Sequence, residues 1–328
     1  MPSPAVLDRV VSVTAAPITG AGPLAGRVFR DKHALRELAR HAGLRNPGYR
    51  LASSPADVVD FLAEAGGRCV LKPTGRQASM GVQILDDPGQ VPAAWAAAAE
   101  NVDDDAPDRG VASQVLAEEF AAGPEHSVEL LLAGGRCLFA NVTGKRVLPG
   151  RYPVEAGHVV PAGIGAELRE RLIEATRTLC GAVRFGDGIV HAEWIAGAGE
   201  PTLVECAGRI PGGEITRLIT LAYGFPLLEA YLDVLLGNAP VLPEQPAAAA
   251  AVRFLVAQPG RLQRIDGADA ARAMPGVVAV DLAVEPGDDL TGTRSSWDRA
   301  GQVIATAPGP GAANAAASAA AAAIKIVS

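Results

Sequence analysis

Aromatic residues are scarce in this chain: Phe, Trp and Tyr together make up 4% of its 328 residues. Apolar residues still reach 49%, so the core must be assembled mainly from Ala, Val and Leu, over a length that suits two or three subdomains sharing one cleft. Cysteine is equally sparse. Cys69, Cys137, Cys180 and Cys206 are widely spaced, form no CxxC pair and lie in apolar runs such as RCVLKP. That argues against a disulfide or metal framework and for free, buried thiols in a reducing compartment. Basic charge is in deficit, with 29 Lys and Arg against 36 Asp and Glu and a net charge of −7, which excludes a broad polyanion-binding surface and hence a nucleic-acid partner. MPSPAVLDRVVSV has no basic segment followed by a continuous apolar one, and outside the Ala-rich C-terminus no stretch reaches the ~18 apolar residues of a membrane span. The expectation is a cytoplasmic protein with no membrane partner.

Periodicity then outlines the elements. Residues 1–29 are rich in Pro, Gly and Ala and read as an arm with one apolar run at Val10–Val13. DKHALRELARHAGL predicts a helix capped by Asp31, stopped at Gly43, with Leu35, Leu38 and Ala42 on one face. SSPADVVDFLAEAG predicts a second, with Ser54 as cap and Val58, Val59 and Leu62 as its buried stripe. CVLKP and VQILDD read as a hairpin around the loop TGRQASMG, and SVELLLAGG and CLFANVTGK as two long strands joined by Gly-Gly. AELRERLIEATRTLCGAV is an amphipathic helix, and GIVHAEWIAG and PTLVECAGR are paired apolar strands. TRLITLAYGFPLLEAYLDVLLG is helical with a break near Gly224 and Pro226, and residues 240–250 read as a linker. Three further strands form a small sheet, closed by an Ala-rich helix over 312–323 and a last strand, IKIV. Asp103–Asp105 reads as a solvated loop.

Three constellations carry chemistry. Lys72 ends an apolar strand just before a Gly-bounded loop holding Thr and Ser, where an ammonium and mobile backbone N–H groups both favour phosphate oxygens. Glu193 and Glu205 lie on adjacent strands; if these pair, both carboxylates emerge on one face and repel unless a cation separates them, for which Mg²⁺ shared with phosphate oxygens is the expected species. Arg209 follows, and after it Gly212 and Gly213 offer N–H groups for a substrate carboxylate at a helix start. Lys145, Arg146 and His158 are further candidates for substrate or phosphate contact. His126, His158 and His191 could serve as general bases, but in-line phosphoryl transfer needs little base, and His191 is read as structural on the assumption that it faces away from Glu193.

In this order and spacing, VLKPTGRQASMGV, the EEF turn with GPEHSVELL after it, and HAEW followed by VECAGRIPGG resemble the ATP-grasp superfamily, as does DK at a helix start forty residues before Lys72. The resemblance runs over about residues 30 to 325 and is strongest to the L-amino acid ligase (dipeptide synthetase) branch, then to biotin carboxylase. It implies an α+β ATP-grasp fold, two subdomains clasping ATP, with a small C-terminal β-rich subdomain. The divisions would be 1–29 (arm), 30–118 (helical segment and lid), 119–240 (central sheet with the Mg²⁺ site) and 241–328 (C-terminal small sheet). It further implies an ADP-forming carboxylate–amine ligase working through an acyl phosphate on amino-acid-like substrates. A bicarbonate-using carboxylase or carbamoyl-phosphate-type enzyme, and a non-catalytic nucleotide-binding subunit, are the alternatives.

Carried over residue by residue, Lys32 and Lys72 would meet the ATP phosphates under a lid running from Thr74 through Ser79 and Met80 to Gly81. Glu118, Glu119, Phe120 and Ala121 would form the hinge at the adenine edge, and Glu125 would hold the ribose. Glu193 and Glu205 would bind Mg²⁺, with Mn²⁺ as an alternative, and Arg209 would meet the transferred phosphoryl group. Two departures stand out. Ala207 occupies a position where many relatives carry a metal-binding Asn, so two glutamates must suffice. Only about thirty residues precede the DK helix, where the family usually has an α/β domain; a homodimer, or a partner chain supplying that wall, is therefore expected.

Overall fold

Short apolar runs separated by Gly turns pair antiparallel along the chain. The structure, a computed structural model, describes residues 20–100, 114–197 and 199–328; the readings of residues 1–19 and of Asp103–Asp105 lie outside them. Helices α1 (Pro23–Val28) and α2 (Lys32–His41) lead into a four-stranded sheet of β1 (Tyr49–Ala52), β2 (Cys69–Pro73), β3 (Gln83–Leu85) and β4 (Val115–Glu119). Its order is β1-β4-β2-β3, and α3 (Pro55–Glu64) and α4 (Val91–Ala99) flank it. The larger sheet contains β5 (Glu125–Ala133), β6 (Arg136–Val147), β7 (Glu155–Val160), β8 (Gly188–Ile195) and β9 (Thr202–Ala207), with α5 (Ala166–Ala182) between β7 and β8. After α6 (Ile215–Tyr223) and α7 (Leu227–Leu235), β10 (Ala249–Leu255) joins it, and two short ribbons pair β11 (Gly260–Arg261) with β14 (Asp289–Leu290) and β12 (Arg264–Asp266) with β16 (Lys325–Val327). Helix α8 (Ala268–Arg272), β13 (Val277–Leu282), β15 (Gly301–Ala307) and α9 (Pro310–Ala323) complete the described elements.

The C-terminal strands do not form a small sheet of their own. Strand β10 pairs with β7, and β15 and β13 follow, so the order is β13-β15-β10-β7-β6-β5-β8-β9, eight strands in one sheet. The linker reading accordingly ends too late: Ala249 and Ala250 already belong to β10 and are fully buried, Ala249 against Ala313 and Ala317 of α9 and Ala250 on the face that packs α6 and α7. Strands β1 and β7 and helix α4 were not anticipated. Each is short, and the Gly, Pro or Ala within or beside it blurs the period. Lys145 and Arg146 belong to β6, which runs two residues past the expected CLFANVTGK. The described part of the arm is not detached either, since Ala25, Val28 and Phe29 are buried against Phe185 and Val183 of the main core.

Strand alternation gives the large sheet two faces with different partners. Val128, Leu130, Val190, Ala192 and Trp194 pack under α2 and α5. Leu131, Phe139 and Ile189 point the other way, toward α6 and α7. These two helices break at 101°, where Gly224 adopts φ 74° and Pro226 precedes α7, as their sequence predicts. Among the described residues no single helix is long and apolar enough to cross a membrane.

Candidate active site

Helix α2 presents a stripe that is only partly apolar. Asp31 caps it, its Oδ1 accepting from the His33 and Ala34 N–H groups, and this phase buries Lys32, Leu35, Arg36 and Ala39, shifted from the expected Leu35–Leu38–Ala42 face. Two cations one turn apart on a buried stripe need local anions. For Arg36, wholly buried, the anion is Glu118: Nε reaches Oε1 at 2.7 Å and Nη2 reaches Oε2 at 3.1 Å, while Nη2 also donates to the Val204 carbonyl at 2.5 Å. The same carboxylate lies 2.6 Å from Lys72 Nζ. Burial depresses the Lys72 ammonium to about 8 despite this partner. The Glu118 side chain is therefore held between two buried cations at the wall of the cleft. Glu119 is similarly engaged, accepting from the Gly48 N–H at 2.9 Å, and the Arg68 guanidinium lies 3.9 Å from the centre of the Phe120 ring.

Opposite this hinge, β8 and β9 place Glu193 directly across from Glu205. Lys145, its side chain 1% exposed, reaches Glu125 at 3.0 Å and Glu155 at 3.3 Å and donates to Glu193. It acts as the counter-ion of three carboxylates in the wall of the cleft. Burial opposes ionisation of Glu193, yet Lys145 and His191 hold it well below the usual range; Glu155 is brought to about 2 against the same penalty, chiefly by Lys145. His191 overturns its reading as a residue facing away from the site. Positions i and i+2 of a strand share a face, and its Nε2 lies 3.2 Å from Glu193 while Nδ1 lies 3.0 Å from Glu129. Burial alone would lower it, but these two carboxylates raise it to about 9. Glu129 in turn accepts from Ser127, Asn141 and Thr143 at 2.6–2.7 Å.

Lys32 connects the two ends. Its backbone N–H donates to the Thr74 carbonyl at 3.1 Å, its ammonium donates to the Arg76 carbonyl, and Nζ lies 3.4 Å from Glu205. The loop after β2 reaches over the cleft: the Ser296 N–H donates to the Ala78 carbonyl at 3.1 Å and Ser79 Oγ to the Pro153 carbonyl at 3.2 Å. Ser79 lines the cavity beside Arg76, Gln77 and Ala78, whereas Thr74, Met80 and Gly81 do not. Thr74 is buried and its hydroxyl accepts from the Gln114 N–H, and Gly81 turns at φ 72° against Pro73 and Ala97.

The whole cleft measures about 960 Å³. Glu125, Arg209, Gly212, Gly213 and His158 all line it, with Arg209 donating to the Ile210 carbonyl at 3.0 Å. Gly213 has φ 61°, and a Cβ there would lie 2.7 Å from His158 Nε2. Ala207, across from His191, brings only a methyl group. Sequence reasoning missed Arg36, Glu129, Glu155 and Arg299. Only Arg36 left a signal, four residues after Lys32 on the same helical face.

Comparison with known proteins identifies two stretches of the chain. Residues 66–217 match the model of the ATP-grasp domain, and residues 253–328 match that of L-amino acid ligase C-terminal domain 2. The chain carries an ATP-grasp domain. It is 29% identical over 282 residues to the uncharacterized protein y4rH of Sinorhizobium fredii, covering 85% of this chain and 57% of that one. Similarity to carnosine synthase 1 of Homo sapiens is 29% over 243 residues, covering 70% of this chain and 29% of that protein. The chain thus spans well under two thirds of both relatives. The crystal structure of L-amino acid ligase from Bacillus licheniformis shares the fold, with a TM-score of 0.77 at 19% identity over 93% of this chain and 75% of that one. An Aspergillus clavatus carboxyaminoimidazole ribonucleotide synthase complexed with ATP does so at a TM-score of 0.70, 18% identity, 96% and 77% coverage. In ATP-grasp terms, Lys72 lies on the small sheet, Glu193 and Glu205 on the large one, and the cleft between them is continuous.

Proposed function

We propose that this chain is an ATP-dependent, ADP-forming carboxylate–amine ligase acting on amino-acid-like substrates through an acyl phosphate. The observation that carries the proposal is the facing pair Glu193 and Glu205 in the cleft lined by Lys32, Lys72 and Arg209; the match to an L-amino acid ligase C-terminal domain supports the substrate class. The donor set fits Mg²⁺, which is typically bound through one or two carboxylates plus substrate phosphate oxygens. Glu193 and Glu205 would hold the ion. When bound, it would supply charge neutralisation and alignment of the phosphate oxygens.

The rest follows from the chain's own residues. Lys32, Lys72 and Arg209 would counter the charge on the oxygens of the transferring phosphoryl group, where fixed cations in a water-poor cleft act most strongly. A substrate carboxylate oxygen would attack the γ-phosphorus and ADP would leave. An amine would then add to the acyl carbon, phosphate would depart, and the amine would lose a proton, leaving an amide. The loop holding Ala78 and Ser79, docked on Pro153 and Ser296, would keep water from the acyl phosphate.

The test is phosphate release from Mg-ATP with pools of amino acids and small carboxylic acids, comparing the wild type with Glu205→Ala. Release that needs both an acid and an amine, and is lost in the variant, supports the ligase. Release driven by bicarbonate without an amine would sink it in favour of a carboxylase-type enzyme. ATP binding with no release from any pool would sink it in favour of a binding subunit.

A further inference from the structure

The reverse face of the sheet carries charge that no carboxylate balances. Arg146, Gly157 and Arg253 are consecutive cross-strand neighbours on β6, β7 and β10, so two arginines flank a residue with no side chain. Directly opposed residues in a sheet share a face, and adjacent positions on a strand face opposite ways. Lys145 enters the cleft, so Arg146 turns to the side where α5 and α9 pack. The Arg253 guanidinium lies over Gly157; a Cβ there would meet Nη1 at 2.7 Å.

Arg253 is 8% exposed. Its Nε donates to Ser318 Oγ at 2.7 Å and its Nη2 to Asn314 Oδ1 at 2.8 Å, both on α9. Among the described residues Nη1 has no acceptor, and neither Arg253 nor Arg146 has a carboxylate partner. A buried guanidinium held only by neutral groups is uncommon, since a buried charge is costly unless paired. Burial lowers Arg253 from its ordinary value, and Arg146 adds like-charge repulsion.

These groups border a second open cavity of about 380 Å³ with Gly163, Pro310, Gly311 and Asn314 in its wall and no Asp or Glu. Because Oδ1 of Asn314 faces Arg253, its amide N–H₂ is left to donate elsewhere. The first turn of α9, a 14-residue helix without a side-chain cap or an acidic residue there, adds N–H groups and the positive end of the helix dipole. We propose that this cavity binds a small oxyanion, a phosphate or carboxylate group, between Arg146 and Arg253 at the start of α9. The site borders the cleft, sharing Lys145, Arg146 and His158 with its wall, but does not depend on the ligase reading, because binding can be measured without turnover. The anion would complete the interrupted row of the sheet, supplying the negative charge that no residue of the cavity provides.

Calorimetric titration of the full chain with inorganic phosphate, and separately with succinate, at constant ionic strength, tests it. Either anion should bind the wild type, and the one that does names the source. Arg146→Ala should weaken that binding at least ten-fold and Arg146→Glu should abolish it. Asn314→Asp, which puts a carboxylate into this cavity and not into the cleft, should abolish it as well. If neither anion binds the wild type, or if binding survives in Arg146→Ala or in Asn314→Asp, the proposal is overturned.

Discussion

Replacing Glu118 by Gln tests whether that residue belongs to the hinge surface or to the interior. The amide keeps the shape but removes the charge shared by Arg36 and Lys72, one wholly buried and the other 4% exposed. Removing one partner of a buried ion pair costs about 3–5 kcal/mol, because the remaining charge is left without compensation. The structure adds a pH signature. With Glu118 present, Lys72 titrates at about 8, below its ordinary 10.5. The unfolded chain therefore binds more protons between those values, and this group makes stability rise with pH across that window. Without Glu118 the folded-state value falls further and the window opens at lower pH. The variant can then shed the Lys72 proton and recover part of its loss as pH rises. Urea denaturation of both proteins from pH 6 to 9 should show a gap of several kcal/mol at pH 6 that narrows by pH 9. A gap below about 1 kcal/mol at pH 7, or one independent of pH, would refute the reasoning.

Two other substitutions probe the substrate end of the cleft. His158 is pushed down to about 3, mostly by burial and then by Lys145, so below its ordinary 6.5 the unfolded chain takes up a proton that the folded one does not. Stability from this residue is lost as pH falls from about 6.5 toward 3, and urea midpoints for His158→Gln should decline less steeply than wild type between pH 6.5 and 4.5. Gly213→Ala forces a Cβ into φ 61° and within 2.7 Å of His158 Nε2. It should cost about 1–2 kcal/mol in thermal denaturation and lower substrate-dependent phosphate release, whereas Gly237→Ala, also at positive φ but with open space around it, should show only the backbone part of the stability loss.

Much of this architecture was legible because its signals are local. Asp31 and Ser54 cap the helices they were expected to cap, the break at Gly224 and Pro226 falls where it was read, and Glu193 and Glu205 come out as register partners because HAEWI and LVECA are the only strong apolar runs there. What escaped depends on long-range pairing. Strand β7 contains Glu155, Gly157 and His158, polar or flexible residues that look like a loop until β6 and β10 close on both sides of it. The C-terminal strands could not be assigned to the large sheet because that assignment rests on one pairing, β7 with β10. Glu118 illustrates a different limit: EEF marks it only as a turn residue, yet its side-chain partner is Arg36, 82 residues earlier.

The cleft carries its charge unevenly, and this unevenness bears on the ligand. At the hinge end two cations, Arg36 and Lys72, share one carboxylate, leaving an excess of positive charge. At the other end Glu125, Glu155, Glu193 and Glu205 gather around Lys145, Arg299 and Lys32, with Arg209 also lining the cleft, so that carboxylate charge is concentrated around Glu193 and Glu205. An all-anionic ligand would suit the first end and be repelled by the second. A polyphosphate whose far end carries a divalent cation suits both, because the cation meets Glu193 and Glu205 as the phosphates meet Lys72 and Lys32. On this reasoning nucleotide and metal should each raise the other's affinity, and neutralising the metal end alone should weaken nucleotide binding more in the presence of Mg²⁺ than in its absence.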